Sequence, residues 1–540
     1  MTDSPRPGWF KHPLFPYLLL MVWSGILFLA SSGEQSLMAH DEGWYAMQAR
    51  WMILKGDGLT QWWWDVPIFD RMVGAHWLIA GAYKLFGVSD GVARLPSLVL
   101  GIGTVLLTFR LGCLLLPRTV AGLGALILPL CPLFLSHGRM ATQDMPLVFV
   151  EVLLVLALVC ADRYRDQQWL FWGWGLVAGA CVGLGFLIKS VMIFLPVIAL
   201  IPFFWNHKHF FRNPGLYLGL ILGFILPVGW LLQSVQVYGG RVLEEMFGKL
   251  VMLGEKSYHG DGNIFYYFWN IPANGFPWVF FAVGGWLWWW LHGRRIQPFG
   301  LKTPMGLLLG LYPLILFCLL TLFSTRISYY SLQLYPWLAL WAGVGLCELS
   351  RQWQRRWLWI RGISGGLALL GLGLWGVAIG LRTGLILADD PVRAYIPLGV
   401  IVGAGWLVLG ITSVKNWRRA WVWTWLLTSW LGLTTAGFLG LIGNYSPGLK
   451  TELTQVRIAS ILQTEPIHFL VQEPLTGPEH QTWVLLSFYT PNLGERLPWP
   501  LNSPPSGYAW VSPNLPLTDA LNSQAKTIAT VEQWRLLKFP

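Results

Sequence analysis

Runs of about 20 apolar residues recur along the first 440 positions of this 540-residue chain, and this recurrence constrains the fold more than any other feature. A helix needs about 20 residues to cross the hydrocarbon core of a membrane. Charged residues make up 12% of the chain, whereas roughly 25% is usual in soluble domains. The sequence therefore predicts a polytopic α-helical membrane protein. Its thirteen predicted spans are residues 14–30, 95–114, 119–136, 145–161, 169–187, 190–205, 214–234, 276–292, 303–323, 329–348, 362–381, 395–413 and 420–441.

The span count depends on the apolar segment 73–86, which contains His76 and Lys84. Its 14 residues are too few to cross a bilayer, so we expect it to lie flat in the membrane interface. Every second loop is then rich in Lys and Arg, as the positive-inside rule requires. This predicts a plasma (inner) membrane protein with a cytoplasmic amino terminus. The long loops 32–94 and 235–275 fall on the non-cytoplasmic face.

The last hundred residues differ in character from the rest. Residues 1–442 form the predicted transmembrane domain, whereas hydrophobicity drops over residues 443–540. We expect that tail to be a small soluble α/β domain on the non-cytoplasmic face. Its predicted elements are a helix at 456–462 and strands at 468–471, 482–487 and 508–511.

Charge and cysteine usage exclude two other classes. The net charge of +11 does not indicate a nucleic-acid partner, because the basic residues sit in short clusters between apolar runs. The six cysteines lie in or beside those runs with no CxxC, so they are interpreted as small core residues. The first run lacks a clear cleavage site and is predicted to be a retained signal-anchor.

Ionisable residues gather at the predicted non-cytoplasmic border, although each has a purely structural alternative. Lys189 can snorkel from a helix end, Asp144 can cap a helix, and His259 alone is more often a satisfied polar residue than a ligand. The first loop also fits an interfacial connector, in which Trp62–Trp64 form an aromatic belt or stack on sugar. Convergence on one face favours function, since cations suit a phosphate and carboxylates suit a base or a divalent cation. The converging residues are Asp41, Glu42, Asp70, Arg71, Arg139, Asp144, Lys189, His259, Arg326 and Tyr330.

Several blocks of sequence together carry a family resemblance. The chain resembles the GT-C membrane glycosyltransferases, and most closely the branch that contains the aminoarabinose transferases of lipid A and the protein O-mannosyltransferases. The resemblance covers about residues 14–350 and weakens beyond. The blocks are Asp41-Glu42-Gly-Trp-Tyr-Ala, Val66-Pro67-Ile-Phe69-Asp70-Arg71, Lys84-Leu-Phe-Gly87, Ala93-Arg94-Leu95-Pro96, Arg139 with Asp144-Met-Pro, Leu187-Ile-Lys189, Tyr258-His259 and Pro277-Trp278.

The resemblance implies a GT-C fold and a polyprenyl-phosphate monosaccharide donor, used at the non-cytoplasmic face with inversion of the anomeric carbon. The acceptor is then a lipid, a glycan or a protein. Implied roles fall into four groups: catalytic Asp41 and Asp144; donor phosphate binding by Arg71 and Lys189, with Arg326 added on chemical grounds; a pocket of Glu42, Tyr45, Tyr330 and Arg139; and a divalent metal (Zn, Mg or Mn) on Asp70 and His259.

One block departs from the family pattern. The usual Phe-Glu-Lys-Pro-Pro is here Phe69-Asp70-Arg71-Met72-Val73. Aspartate is one methylene shorter than glutamate, so its carboxylate reaches less far toward a metal shared with His259. Arginine keeps the cation and presents a planar fork that still suits phosphate.

Transfer of a sugar from a phosphate requires a small set of chemical groups. Displacing a phosphate from an anomeric carbon needs a base near the acceptor and cations on the leaving phosphate. Asp41 suits the first role, and Arg71, Lys189 and Arg326 suit the second. A secondary transporter or lipid flippase is the main alternative, but the hydropathy shows no internal repeat and few charges fall mid-span. A polysaccharide polymerase or ligase is a third alternative. Such proteins usually have their functional external loop late in the sequence, whereas here the polar loop follows the first span.

Overall fold

The computed structural model describes residues 13–255, 262–292, 300, 302–387, 389–500, 506–513, 515–516 and 525–540. His259, one of the predicted metal ligands, lies outside this part of the chain. The described chain is mostly helical, with a hairpin near its start and a five-stranded sheet near its end.

The first long loop is folded into its own small unit. Helix α1 (Phe15–Leu29) precedes it, and a π-helical turn (Ala39–Gly43) runs directly into helix α2 (Trp44–Leu54). A hairpin of β1 (Gln61–Trp63) and β2 (Val66–Ile68) follows, and then α3 (Gly74–Phe86). The apolar segment 73–86 of the sequence analysis is thus the helix α3.

The central part of the chain consists of helices. In order they are α4 (Asp90–Leu115), α5 (Arg118–Ile127), α6 (Pro132–Gly138), α7 (Asp144–Arg163), α8 (Gln168–Lys189), α9 (Phe194–Ala199), α10 (Ile201–Asn206), α11 (Pro214–Tyr238), α12 (Arg241–Glu255), α13 (Tyr266–Asn274), α14 (Trp278–Leu291), α15 (Tyr312–Leu322), α16 (Tyr335–Arg351), α17 (Trp357–Thr383), α18 (Asp390–Arg393), α19 (Ile396–Val414) and α20 (Arg418–Phe438).

Several of these helices are suited to a membrane by length and composition. Within the described residues, six segments are long and apolar enough to cross, and there are seven if the bent pair α5–α6 counts as one span. Shorter apolar helices are α1, α14 and the segment Gly306–Leu322. The six segments are Asp90–Leu115, Asp144–Arg163, Gln168–Ala199, Pro214–Tyr238, Trp357–Thr383 and Asp390–Val414. The molecule is therefore a multi-pass membrane protein.

Two predicted spans are not single helices. The span at 119–136 is the pair α5 and α6, bent by 67°, and Pro132 at the start of α6 lacks the N–H that a continuous helix would need there. The span at 190–205 is a short 3₁₀ turn followed by α9 and α10, with Ser190 at a φ of 50°. Proline and a left-handed residue end helices whatever the hydropathy, so hydropathy alone overestimated their continuity.

The chain nevertheless crosses the helical layer between Lys189 and His209. Lys189 meets Asp144 at the start of α7, whereas His209 lies 3.0 Å from Asp162 near the other end of that helix. A 20-residue helix is about 30 Å long. The return path after α8 therefore runs the length of α7, in short pieces.

Helices α8 and α11 lie in close contact along stripes of glycine. A Cβ atom at Gly179 would sit 2.2 Å from the Leu216 carbonyl oxygen, and one at Gly183 would sit 2.1 Å from Gly223. Small residues let apolar helices approach backbone to backbone. This packing fixes α8, and with it the position of Lys189 at its end.

The end of the chain forms a mixed sheet with helices. Helices α21 (Pro447–Leu453) and α22 (Val456–Thr464) lead into strands ordered β4-β3-β5-β7-β6. Strand β3 runs parallel to β4 and β5, and β7 runs antiparallel to β5 and β6. The remaining bounds are β3 (Ile467–Val471), α23 (Gly477–Tyr489), β4 (Leu493–Pro498), β5 (Gly507–Val511), β6 (Lys526–Val531) and β7 (Trp534–Phe539).

The strand predicted at 482–487 is wrong, because these residues lie in helix α23. The run from Thr482 to Phe488 is buried at every position. A helix covered on all sides has no polar stripe, so its apolar run resembles that of a buried strand. The predicted helix at 456–462 and the strands at 468–471 and 508–511 correspond to α22, β3 and β5.

Helix α23 is covered on all sides because the tail shares a core with the first loop. The ring of Trp483 lies 4.9 Å from that of Trp63 and 6.4 Å from that of Trp64. Trp63 and Trp64 are buried in this shared core, while Trp62 is half-buried and bonds Asp57. Trp63 and Trp64 therefore form neither an exposed belt nor a sugar platform, because they join the tail to the first loop.

Candidate active site

A cavity of about 770 Å³ lies where the first loop, the end of α8, the start of α7, helix α12 and the start of α23 meet. Asp41, Tyr45, Asp70, Arg71, Asp144, Lys189 and Tyr330, all predicted site residues, line it. Its other polar lining groups include His40, His137, Thr142, Gln143, Lys249, Tyr329, Thr476 and His480. The tail thus forms part of the wall.

Asp41 lies in the π-helical turn and faces this cavity. Its carboxylate is half-buried, and it makes no direct side-chain hydrogen bond to the described residues. Burial and then the negative charge of Asp144 raise its pKa above the usual value, against the opposing effect of Arg71 and other cations. A carboxylate without a bonded partner and with a raised pKa is suited to accept a proton.

Glu42, the next residue, is placed in a different environment. Its two oxygens accept from Arg94 at 2.7 and 2.8 Å, and both side chains are almost fully buried. The backbone N–H groups of Met38 and Ala141 also donate to it. The structure therefore does not bring Glu42 to the cavity wall, because the turn directs Asp41 outward and Glu42 into the protein.

Lys189 ends helix α8 and forms a buried ion pair with Asp144 at the start of α7. The Nδ1 atom of His137 lies 3.7 Å from the other carboxylate oxygen of Asp144. The Lys189 ammonium also lies 4.8 and 5.1 Å from the ring centres of Tyr329 and Tyr330. An ammonium has three N–H donors, so Lys189 retains donors for a ligand while Asp144 holds it in position.

Arg71 lines the same cavity, together with Asp70. Its guanidinium donates to both oxygens of Asp70, at 3.0 and 2.9 Å, and stacks on Tyr45 with 4.8 Å to the ring centre. Lys249 of α12 is a second cation on Asp70, at 2.5 Å. The two cations hold the pKa of Asp70 well below its usual range, although burial opposes them.

Two predicted arginines are placed away from the cavity lining. Arg139 donates to the carbonyl oxygens of Leu27 and Ala30 and to Gln35. Arg326 donates to the carbonyl oxygens of Thr321 and Gly262. Their guanidinium groups hold backbone segments together, a use of arginine that no sequence pattern distinguished from phosphate binding.

Among the lining residues that sequence reasoning missed are four with basic side chains: His40, His137, Lys249 and His480. His40 and His480 lie 3.1 Å apart through their ring nitrogens and connect the first loop to the tail. Lys249 carried a usable signal, because apolar residues recur at helical spacing in α12, within a predicted external loop. His480 carried none, since it comes from a tail whose placement is tertiary.

The predicted metal does not fit the described residues. Oδ1 of Asp70 accepts from Arg71, and Oδ2 accepts from both Arg71 and Lys249. A divalent ion there would meet two positive charges. Zinc and magnesium sites in proteins use several such ligands. The part of the chain that the structure describes has no group of three His, Cys, Asp or Glu side chains placed to hold a metal.

The sequence and the fold are both similar to those of known proteins. Residues 70–232 match the family model described as dolichyl-phosphate-mannose-protein mannosyltransferase. The structure superposes on ArnT from Cupriavidus metallidurans bound to undecaprenyl phosphate with a TM-score of 0.73 and 17% identity, covering 97% of this chain and 98% of that one. This likeness shows that the chain has the same fold as that ArnT.

The relatives in sequence point to one branch. An undecaprenyl phosphate-alpha-4-amino-4-deoxy-L-arabinose arabinosyl transferase of Pseudomonas paraeruginosa is 25% identical over 86% of this chain and 80% of its own length. An uncharacterized protein of Aquifex aeolicus is 24% identical over 60% of this chain, which spans 62% of that protein. The family match, the relatives and the fold agree with the resemblance to the aminoarabinose transferase branch that the motifs predicted.

Proposed function

We propose that this protein transfers a monosaccharide from a polyprenyl-phosphate donor to an acceptor at the non-cytoplasmic membrane face, with inversion. The observation that carries this proposal is the shared cavity, in which Asp41, whose carboxylate has no hydrogen bond to the described residues, faces the same space as Arg71 and Lys189. A base and two cations in one pocket are what displacement of a phosphate from a sugar requires.

The residues divide the reaction between them. Asp41 accepts the proton of the acceptor group, whose freed electron pair forms a bond to the anomeric carbon opposite the phosphate. The bond between that carbon and the phosphate oxygen breaks, and its electron pair stays on the leaving phosphate. Arg71 and Lys189 stabilise the charge that develops there. Attack from the opposite face inverts the carbon.

Asp144 acts through Lys189 in this scheme. Its carboxylate is buried and paired with that ammonium, so it is less suited than Asp41 to take a proton. Tyr330 lies beside the same ammonium and is placed to border the donor. Asp144 is therefore a positioning residue, and Asp41 is the base.

The finer topology belongs to the same proposal. Thirteen crossings, with α3 flat in the interface, give a cytoplasmic amino terminus and bring the cavity and the tail to the outer face. Lys189 and Asp144 lie at the ends of α8 and α7, at the border of the helical layer, which suits surface chemistry better than alternating access by a transporter.

Donor turnover by Asp41→Asn tests the proposal. Purified wild type is expected to release sugar from polyprenyl-phosphate donors, whereas Asp41→Asn loses roughly 10²- to 10⁴-fold in rate, as removal of a general base does. Asp65→Asn, an exposed aspartate of the same loop, is the matched control and retains wild-type turnover.

Two outcomes would overturn the proposal. One is equal turnover by wild type and Asp41→Asn. The other is movement of the lipid-linked sugar across proteoliposomes with its glycosyl bond intact, which a flippase would show. If neither outcome is seen, mass spectrometry of envelope lipids and glycans from a deletion strain would identify the acceptor.

A further inference from the structure

We propose that Lys249 is a built-in cation that takes the place of the metal predicted at Asp70 and, together with Arg71, binds the phosphate of the donor. This inference rests on the proposed function and deepens it, since it assigns a third phosphate-binding side chain. Lys249 lines the cavity and contacts Asp70 directly, at 2.5 Å.

Helix α12 is held against the segment that carries Asp70. Val242 and Met246 of α12 are buried in a small cluster with Phe69 and Met72. One turn is also fixed by a polar contact, because Glu245 accepts the backbone N–H of Phe69 at 3.0 Å. The helix therefore cannot shift relative to Asp70 without breaking this packing.

Lys249 follows Glu245 by four residues and so lies on the same face of α12. Its side chain is 30% exposed, and Asp70 is 24% exposed. The ammonium thus contacts the Asp70 carboxylate and also lines the cavity. Of its three donors, Asp70 takes one.

The charges of this cluster match a phosphodiester. Arg71 and Lys249 carry two positive charges against the one negative charge of Asp70, which leaves an excess of one. The phosphate of a polyprenyl-linked sugar is a diester with one negative charge. Arg71 binds Asp70 through Nε and one terminal nitrogen and also contacts Tyr45. Its guanidinium lines the cavity, where a phosphate can compete with Tyr45 for its other terminal nitrogen.

Asp70 then serves to position the two cations. The shorter aspartate accepts from both side chains at once, and its neighbour is arginine instead of the family's lysine. A divalent ion would have to displace Lys249 from this carboxylate, against the charge of Arg71. A fixed ammonium supplies the same positive charge without a bound ion.

The test measures binding of polyprenyl phosphate to the full chain in phosphatidylcholine nanodiscs. Lys249→Gln is expected to weaken binding roughly 10- to 100-fold, the loss typical for hydrogen bonds to a charged group. Lys249→Arg restores binding to within about threefold. Lys55→Gln removes another lysine paired with an aspartate, outside the cavity, and is expected to bind as wild type does. Thermal unfolding of each variant checks its fold.

Metal content is the second readout. After equilibrium dialysis against Zn²⁺, Mg²⁺ or Mn²⁺, wild type is expected to hold less than one ion per chain, and a chelator leaves its affinity for polyprenyl phosphate unchanged. One bound ion that disappears in Asp70→Asn would overturn the inference.

The outcomes separate the two proposals. Equal binding by wild type and Lys249→Gln overturns the role of Lys249 and leaves the transferase proposal standing. Failure of wild type itself to bind polyprenyl phosphate overturns both.

Discussion

Two neighbouring carboxylates, Asp41 and Glu42, belong to regions of opposite character. Glu42 lies in a closed network, which we call the clamp and define as Glu42, Arg94 and the groups they bond. Asp41 lies in the open cavity with Arg71 and Lys189. The two residues share one π-helical turn, so the difference arises from their surroundings and not from local conformation.

The clamp is saturated with hydrogen bonds. Arg94 donates to Glu42 and to the carbonyl oxygens of Ser32, Gln35, Ser36 and Gly443. It thus ties the loop after α1 to the segment after α20. In the cavity, by contrast, Asp41 has no such bond to the described residues, and the cations around it keep free donors. A saturated network stabilises, whereas an unsaturated one is available for a substrate.

The largest expected effect is a loss of stability when the clamp is disrupted. Arg94→Met leaves Glu42 charged, buried and without its cation, and we expect the free energy of unfolding to fall by about 3–5 kcal/mol. Unfolding in detergent micelles measures it. Arg110→Met, at an exposed arginine of the same helix, is the control. A loss similar to that of the control would show that the clamp is not needed.

A smaller effect is expected where the tail meets the clamp. Tyr489 donates to Asp90 at 2.6 Å and accepts the backbone N–H of Leu37 at 3.0 Å. Tyr489→Phe removes both bonds and keeps the ring, so a loss of about 1–2 kcal/mol in unfolding free energy is expected. Tyr395→Phe, at a tyrosine that is 52% exposed, should change little. An unchanged stability in Tyr489→Phe would mean that the tail docks through apolar contacts alone.

The smallest effect on stability is expected at Asp41, where the direction of the change is the informative result. Because its pKa is raised in the folded state, its contribution to stability is present below the ordinary pKa of aspartate and lost as the pH rises through the raised value. Asp41→Asn should therefore be as stable as wild type at pH 7, or more stable. A clear destabilisation would place Asp41 in a structural network like that of Glu42.

The same raised pKa affects activity with the opposite sign. A base must be ionised, so the acid limb of the wild-type pH profile is expected above the ordinary range of an aspartate. A profile of sugar release from pH 4 to pH 8 measures it. A limb at or below the ordinary aspartate pKa would contradict Asp41 as the base.

Much of the cavity was predictable because it is built from loop ends. Asp41, Arg71, Asp144 and Lys189 each lie at the end of an apolar run, and alternation of loops puts such ends on one face. Arg139 and Arg326 satisfy the same rule and yet bond backbone carbonyls. Sequence position does not reveal which donors a buried arginine has left.

The sequence by itself determined the helical membrane class and the border at which polar groups gather, because hydropathy and charge act locally along a chain. Only the tertiary structure decided that α23 is a helix, that Trp63 and Trp64 bury against it, and that His480 and Lys249 reach the cavity. These outcomes depend on contacts between segments far apart in sequence. The segments that pack over a residue decide whether an apolar run is a strand or a helix. They also decide whether a charged side chain is bonded within the protein or available to a ligand.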